Sequence, residues 1–390
     1  MTIEHWLLPD GVEDILPETA SKIEQGRRIL LDLFRSWGYE YIIPPKLEYL
    51  ESLLTGTGRD LDLKTFKVID QLSGRMMGLP ADLTPQAARI DAHSLGQDAV
   101  TRLCYADFVL QSRPAHMLAS RSPLKVGAEL FGEPSLAGDV EIISLMIEAL
   151  NQLGMQSVQL ELGDVRFFRA LMAETALPEP VQTQFFDLVQ KKAHDELAEM
   201  TQRHALPDAI AELICELPMM AGDNRILDQV KDKFKDWPGL VAAIDDLAYL
   251  SELISARNQN VQVSFDLSEL RGLHYHTGMV FSVFLRESGQ SVARGGRYDN
   301  IGAVFGRARP ATGFDIELLM ISETIPTVPD ARRVHVVAHA DGNLQEQWRM
   351  IEQLRASGDI VLEGEAIKSP GDWDLVWLTD EWQLREITSE

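Results

Sequence analysis

The feature that most restricts the fold of this chain is an interruption. Short strand-like stretches occupy the first 160 or so residues, give way between Val165 and Gln259, and return as alternation at Val261, Val263, Phe265 and Leu267. Val280, Ser282 and Phe284 then alternate with Met279, Phe281, Val283 and Leu285. The intervening segment reads as helices punctuated by Pro178, Pro180, Pro207, Pro218 and Pro238, with no convincing alternation of its own. A sheet cut by a helical insert and then resumed is incompatible with a regular series of βαβ units. It predicts an α+β fold, an antiparallel sheet flanked by helices, with residues 165–259 inserted in a domain spanning 1–325.

The flanking elements fit this plan. Ile23, Ile29, Leu30, Leu33, Phe34 and Trp37 recur at helical spacing between Pro17, suited to a first turn, and Gly38, suited to a stop. Tyr39–Ile43 is a short apolar run closed by Pro44 and Pro45, which cannot donate to a ladder, and reads as an edge strand. Strands are expected at Lys64–Ile69, Arg102–Leu110, Leu124–Phe131 and Ser157–Leu162, and a helix at Asp139–Leu153. Beyond a proline-flanked linker, residues 331–390 read as a small C-terminal α/β unit: strands at Val334–Ala338, Asp359–Leu362 and Leu375–Leu378, and a helix at Asn343–Ala356.

Charge narrows the partners. The chain has 36 Lys plus Arg against 60 Asp plus Glu, a formal net charge of −24, and no basic run. Polyanions are held largely through Lys and Arg contacts to phosphate, so tRNA is not expected as a partner. The last 60 residues, with 6 basic and 12 acidic side chains, are least suited of all to an anticodon stem. Residues 1–20 have neither a basic start nor an apolar stretch, and no segment approaches the ~18 apolar residues of a membrane span. Cys104 and Cys215, both in apolar surroundings, are too few for a disulfide framework, so a reducing cytoplasm is expected.

Phosphate-loop, nucleophile-elbow and zinc-protease motifs are absent, but an ordered series of others is present. Leu8-Pro9-Asp10-Gly11-Val12 with Leu16-Pro17, and Gly38-Tyr39 to Pro44-Pro45, come first. They are followed by Leu83-Thr84-Pro85-Gln86-Ala87-Ala88-Arg89, by Ser112-Arg113-Pro114, and by Gly127-Ala128-Glu129-Leu130-Phe131-Gly132. Arg271-Gly272-Leu273-His274-Tyr275-His276-Thr277-Gly278-Met279-Val280-Phe281, Gly295-Gly296-Arg297-Tyr298-Asp299 and Pro310–Ile316 complete the set. The series resembles histidyl-tRNA synthetases and their paralogues, the regulatory subunits of short-form ATP phosphoribosyltransferase, over roughly residues 5–322. Asp82 and Gln86 favour the paralogue form of the Thr84 loop.

The departures are as informative as the matches. Leu110 and Met320 stand where the resemblance places two phosphate-facing arginines of the synthetases, and neither can donate to phosphate. Two such losses remove several kcal/mol each, at about 1.4 kcal/mol per tenfold in rate, which leaves adenylation negligible. The amino-acid end is better kept. By resemblance, Glu129 faces an imidazole, Asp82 and Thr84 cradle an ammonium, Arg271 lies near a carboxylate, and Tyr275 lines the pocket, with Arg113 in the second-motif loop. Lys125 replaces a glutamine, His274 an aspartate and His276 a tyrosine; a second cation at Lys125 needs Asp82 or Glu129 as a counter-ion.

The resemblance therefore implies a histidine-binding set of Asp82, Thr84, Arg113, Lys125, Glu129, Arg271, Tyr275 and His276, with no cofactor. The implied role is that of a non-catalytic subunit that binds histidine and transmits activation and feedback inhibition to a catalytic subunit in the first step of histidine biosynthesis. It also implies a homodimer within a hetero-octamer. A divergent amino-acid-activating enzyme and a stand-alone amino-acid sensor remain the alternatives. Taken alone, Glu129 reads first as a strand residue on a solvated face, and Gly295-Gly296 as either a bulge or a point of close ligand approach. No Cys, Asp or Glu completes a ligand set with His274 and His276, so no metal is expected.

Overall fold

A computed structural model of the chain describes residues 7–54, 58–114, 119–273, 275–285, 289–327, 331–339, 343–364 and 367–388. The chain divides into two compact units, Met1–Pro326 and Thr327–Glu390.

In the first unit a nine-stranded sheet runs in the spatial order Glu40–Tyr41, Thr101–Phe108, Leu124–Phe131, Ala311–Glu317, Ser291–Arg297, Met279–Phe284, Val158–Asp164, Val261–Asp266, Ala221–Gly222. The five central pairings, from Thr101–Phe108 across to Val158–Asp164, are antiparallel, as the interrupted alternation predicts. Two pairs are parallel and make the sheet mixed: Glu40–Tyr41 on Thr101–Phe108, and Val158–Asp164 on Val261–Asp266. The second follows from the insertion, because a parallel return requires a long crossover and residues 165–260 supply it. The expected edge strand at Tyr39–Ile43 is only two residues long. The expected strand at Lys64–Ile69 begins at Phe66, after a helix Gly58–Lys64, and joins Met76–Leu79 and Glu48–Tyr49 in a separate three-stranded sheet.

One face of the large sheet is covered by two helices. Pro17–Ser36 starts on proline and ends at Trp37, where Gly38 takes φ +84°. Leu136–Gln152 is capped by Ser135, whose hydroxyl accepts from the Ala137 N–H. Leu30, Phe34, Ile142, Ile143, Met146 and Leu150 are buried here, and Phe34 meets Phe314 of the sheet edge to face at 5.9 Å. Each such side chain contributes roughly 1.5–3 kcal/mol on burial, so this face is fixed by packing and the site is left to the other.

Six α-helices between Arg166 and Arg257, with a 3-10 turn at Leu217–Met219 and the edge strand Ala221–Gly222, make up the insertion. Pro178 and Pro207 immediately precede two of them, and Pro180 and Pro238 lie in first turns, where a missing N–H is harmless. Phe167, Phe185, Phe234, Leu247 and Leu250 give the insertion a core continuous with that of the sheet.

The second unit has a four-stranded sheet in the order Ile360–Glu363, Arg333–Val336, Trp373–Leu378, Glu381–Glu386. A helix, Leu344–Ala356, is capped by the Asn343 side chain. Val334, Ile351, Leu375 and Trp382 form its core, beside a buried His335–Asp372 pair at 2.8 Å.

Candidate functional site

Strand geometry builds the floor of the site. Side chains two apart share a face, so Lys125, Gly127 and Glu129 point to one side of their strand. On the neighbouring strand Gly313 pairs with Glu129, Asp315 with Gly127 and Glu317 with Lys125. One strand further, Gly296 pairs with Gly313 and Arg294 with Asp315. The register thus lays a patch of glycines and charges across the centre of the sheet. Above it lies a pocket of about 270 Å³, walled by Asp82, Thr84, Gln111, Tyr275, His276 and Tyr298, with Phe186 and Gln190 reaching in from the insertion.

Glu129 sits at the closed end, 1% exposed. Its Oε1 accepts from Thr84 Oγ1 at 2.8 Å and from the Tyr105 hydroxyl at 2.9 Å, and its Oε2 accepts from Tyr298. A Cβ on Gly313 would stand 1.6 Å from Oε2, so any side chain there would displace the Glu129 carboxyl. Burial pushes the Glu129 carboxyl up from 4.5 to about 8, although all three hydroxyl bonds favour the anion. A buried carboxyl ringed by three hydroxyls can accept from a cationic or N–H-bearing group, or itself donate when protonated.

Lys125 is buried and its ammonium donates to Asp315 at 2.7 Å. Burial pulls this ammonium down, but the Asp315 and Asp82 carboxylates outweigh it and the net shift is upward. The counter-ion expected from sequence was Asp82 or Glu129; the ion pair is made instead with Asp315, which cross-strand register brings into reach.

Of the other residues assigned by resemblance, Asp82 lines the pocket and accepts from the Leu83 N–H at 2.7 Å, and Thr84 bonds Glu129. Arg271 lies at the mouth, its Nε and Nη2 both engaged by Glu269. Tyr275 and His276 form an aromatic wall with ring centroids 4.3 Å apart, and Tyr298 stands within 6.5 Å of each. Arg113 is exposed and is not among the residues lining the pocket: Gln111 reaches it, while Ser112 is held away by bonds to the Leu63 and Lys64 carbonyls. His274 lies outside the described residues. Gln86 also turns from the pocket, donating to the Pro45 carbonyl and to Glu48. Leu110 is half-buried, Met320 packs against the main core, and neither lines the pocket.

Tyr105, Tyr298 and Asp315 complete the site and were not assigned from sequence. Tyr298 lies inside the Gly295–Asp299 motif and Asp315 in the Pro310–Ile316 segment, so a signal existed for both. Tyr105 had only its place in a strand. Gly295 and Gly296 are not a bulge but regularly paired: Gly295 is overlain by the Phe281 ring and Gly296 by His276.

The sheet topology and the carboxylate-ended pocket define a protein of the class II aminoacyl-tRNA synthetase type. A family model described as histidyl-tRNA synthetase matches residues 11–321. The ATP phosphoribosyltransferase regulatory subunit of Pseudomonas syringae pv. syringae is 45% identical over 398 residues, covering 100% of both chains. That of Teredinibacter turnerae is 44% identical, covering 94% of this chain and 93% of the other. An ATP phosphoribosyltransferase regulatory subunit/histidyl-tRNA synthetase from Bacillus halodurans superposes with TM-score 0.79 at 25% identity, over 93% of each chain. Histidyl-tRNA synthetase from Nostoc shares the fold, with TM-score 0.77 at 18% identity over 98% of this chain and 95% of that one. The chain belongs to the family of ATP phosphoribosyltransferase regulatory subunits, paralogues of histidyl-tRNA synthetase.

Proposed function

We propose that this chain is a non-catalytic subunit that binds histidine in the Glu129 pocket and passes its occupancy to a catalytic ATP phosphoribosyltransferase subunit, which carries out the phosphoribosyl transfer. The observation that carries this reading is the asymmetry of the pocket. Its closed end has a buried carboxyl with three hydroxyl partners, suited to an imidazole. Among the described lining residues no comparable cluster serves a nucleotide: Leu110 and Met320, at the positions of the synthetase arginines, lie outside the pocket and supply no donors, and three of the four lining Lys and Arg side chains face carboxylates, Lys125 on Asp315, Arg271 on Glu269 and Arg294 facing Glu317 at 3.9 Å. Five carboxyl groups, Asp82, Glu129, Glu269, Asp315 and Glu317, line the pocket against four Lys and Arg side chains, so it offers a triphosphate no surplus of positive charge.

Regulation then needs only a difference in histidine affinity between two states of the complex. Phe186 and Gln190 line the pocket from the insertion opposite the sheet residues, so a ligand there would touch both parts of this unit. Titration calorimetry with L-histidine tests the reading. Binding that is abolished by Glu129→Ala, in a variant whose circular dichroism is unchanged, supports it; unchanged affinity refutes the pocket assignment.

A further inference from the structure

Beside the Glu129 pocket, and sharing Gln190, Glu269 and Arg271 with it, lies a second recess of about 410 Å³. The insertion supplies one wall, and the turn after the strand Val261–Asp266 supplies the other. An ion pair bridges the two. Lys192 Nζ donates to Asp266 Oδ2 at 2.8 Å, while Asp266 Oδ1 accepts from the N–H and the hydroxyl of Ser268 at 2.9 and 2.6 Å. Lys192 closes the helix Glu179–Gln190 with φ +52°, a conformation that glycine adopts without strain. Ala176 and Ala205 take the same conformation elsewhere in the insertion, but their side chains end at Cβ. A lysine at such a position reaches across. The helix that it closes carries Phe186 and Gln190 into the Glu129 pocket.

Glu161, on the strand paired with Val261–Asp266, lines the same recess. It is half-buried, and among the described residues none donates a hydrogen bond to its carboxyl. Asp266 and Glu269 oppose its ionisation, Arg271 and Lys192 favour it, and Asp187 and Lys191 line the recess from the insertion. Burial first, and then the two neighbouring carboxylates, push it up from 4.5 to about 7. We propose that Lys192 and Asp266 form a clasp that holds the insertion to the sheet beside the ligand pocket, and that Glu161 adjusts the clasp through its own charge. Ionised, Glu161 adds a second carboxylate to attract Lys192; protonated, it leaves Asp266 to hold the lysine. The clasp therefore tightens as pH rises through neutrality. Its existence does not depend on what fills the pocket. Its bearing on histidine rests on the histidine reading, because the helix that Lys192 closes lines that pocket.

Lysine acetylation by a limiting amount of an N-hydroxysuccinimide ester, read residue by residue by mass spectrometry on the full chain, tests the clasp. Lys191 is exposed and adjacent in sequence, so the ratio of Lys192 to Lys191 acetylation corrects for the pH dependence of the reagent. Lys192 should react more slowly than Lys191, and the ratio should fall by about twofold to fivefold from about pH 6 to pH 8.5, the range of a half-exposed ion pair. In Glu161→Gln the ratio should not change with pH. In Asp266→Asn, which keeps an oxygen for Ser268, it should rise close to one throughout. A ratio near one in the native chain, or a pH dependence that survives in Glu161→Gln, overturns the proposal. Saturating L-histidine should lower the ratio further; binding seen by calorimetry with an unchanged ratio overturns the link to the pocket. If the chain binds no histidine, the functional reading falls, and the ratio still decides the clasp.

Discussion

Replacing Glu129 by glutamine should remove a loss of stability that the native chain suffers as pH rises. Its carboxyl is raised from 4.5 to about 8 in the folded state, so the folded chain holds a proton that the unfolded chain releases. A raised acid stabilises the fold fully below the unfolded value, and that contribution is lost as pH rises from 4.5 through 8. The difference of 3.5 units, at 1.36 kcal/mol each, gives about 5 kcal/mol as an order of magnitude. Glutamine has the same shape and cannot ionise, and the hydroxyls of Thr84, Tyr105 and Tyr298 can rotate to accept from its amide. Glu129→Gln should therefore equal the native chain or fall slightly below it at pH 4.5, and exceed it by a few kcal/mol at pH 8.5. Urea unfolding should be followed by far-ultraviolet circular dichroism, because Trp348, Trp373, Trp377 and Trp382, four of seven tryptophans, lie in the second unit and bias fluorescence towards it. Parallel stability curves for the two proteins from pH 4.5 to 8.5 would show that Glu129 is not held protonated by burial.

Further outcomes follow from other contacts. Asp315→Asn strands the buried Lys125 ammonium and should lower unfolding stability by about 3 kcal/mol, whereas Lys125→Met combined with Asp315→Leu should recover most of it; equal losses in the single and double variants would count against the pair. Arg309→Met leaves Asp91 and the Gln97 and Ala99 carbonyls without their buried guanidinium, and a loss of about 3–5 kcal/mol is expected in denaturant titrations. Gly313→Ala should abolish histidine binding, since its Cβ would collide with Glu129. Gly239→Ala, in the helix Pro238–Arg257 with nothing within 4 Å, should leave binding unchanged and raise stability by about 0.5 kcal/mol.

Local pattern carried much of this architecture. The helix Pro17–Ser36, the strand Leu124–Phe131 and the helical insertion are each written in short-range periodicity and punctuation. Pairing order is not. The parallel return of Val261–Asp266 beside Val158–Asp164 depends on how the insertion crosses the sheet. The strand Ser291–Arg297 was read only as a motif because two glycines weaken its β signal. The site divides the same way. Glu129, Thr84, Tyr275 and His276 lie in recognisable motifs, but the partners that set their chemistry lie far off in sequence: Asp315 is 190 residues from Lys125, and Tyr298 is 169 from Glu129. Arg113 was placed by its motif neighbours, and the turn at Ser112 directs it to solvent.

On the proposed reading, the amino-acid half of a synthetase-like site persists while its nucleotide half has lost function. Histidine-dependent exchange of pyrophosphate into ATP, measured on the purified chain at histidine concentrations that calorimetry shows to be saturating, tests it most directly. No exchange above the protein-free background is expected. Exchange that rises with histidine and disappears in Glu129→Ala would contradict it and make this chain an amino-acid-activating enzyme.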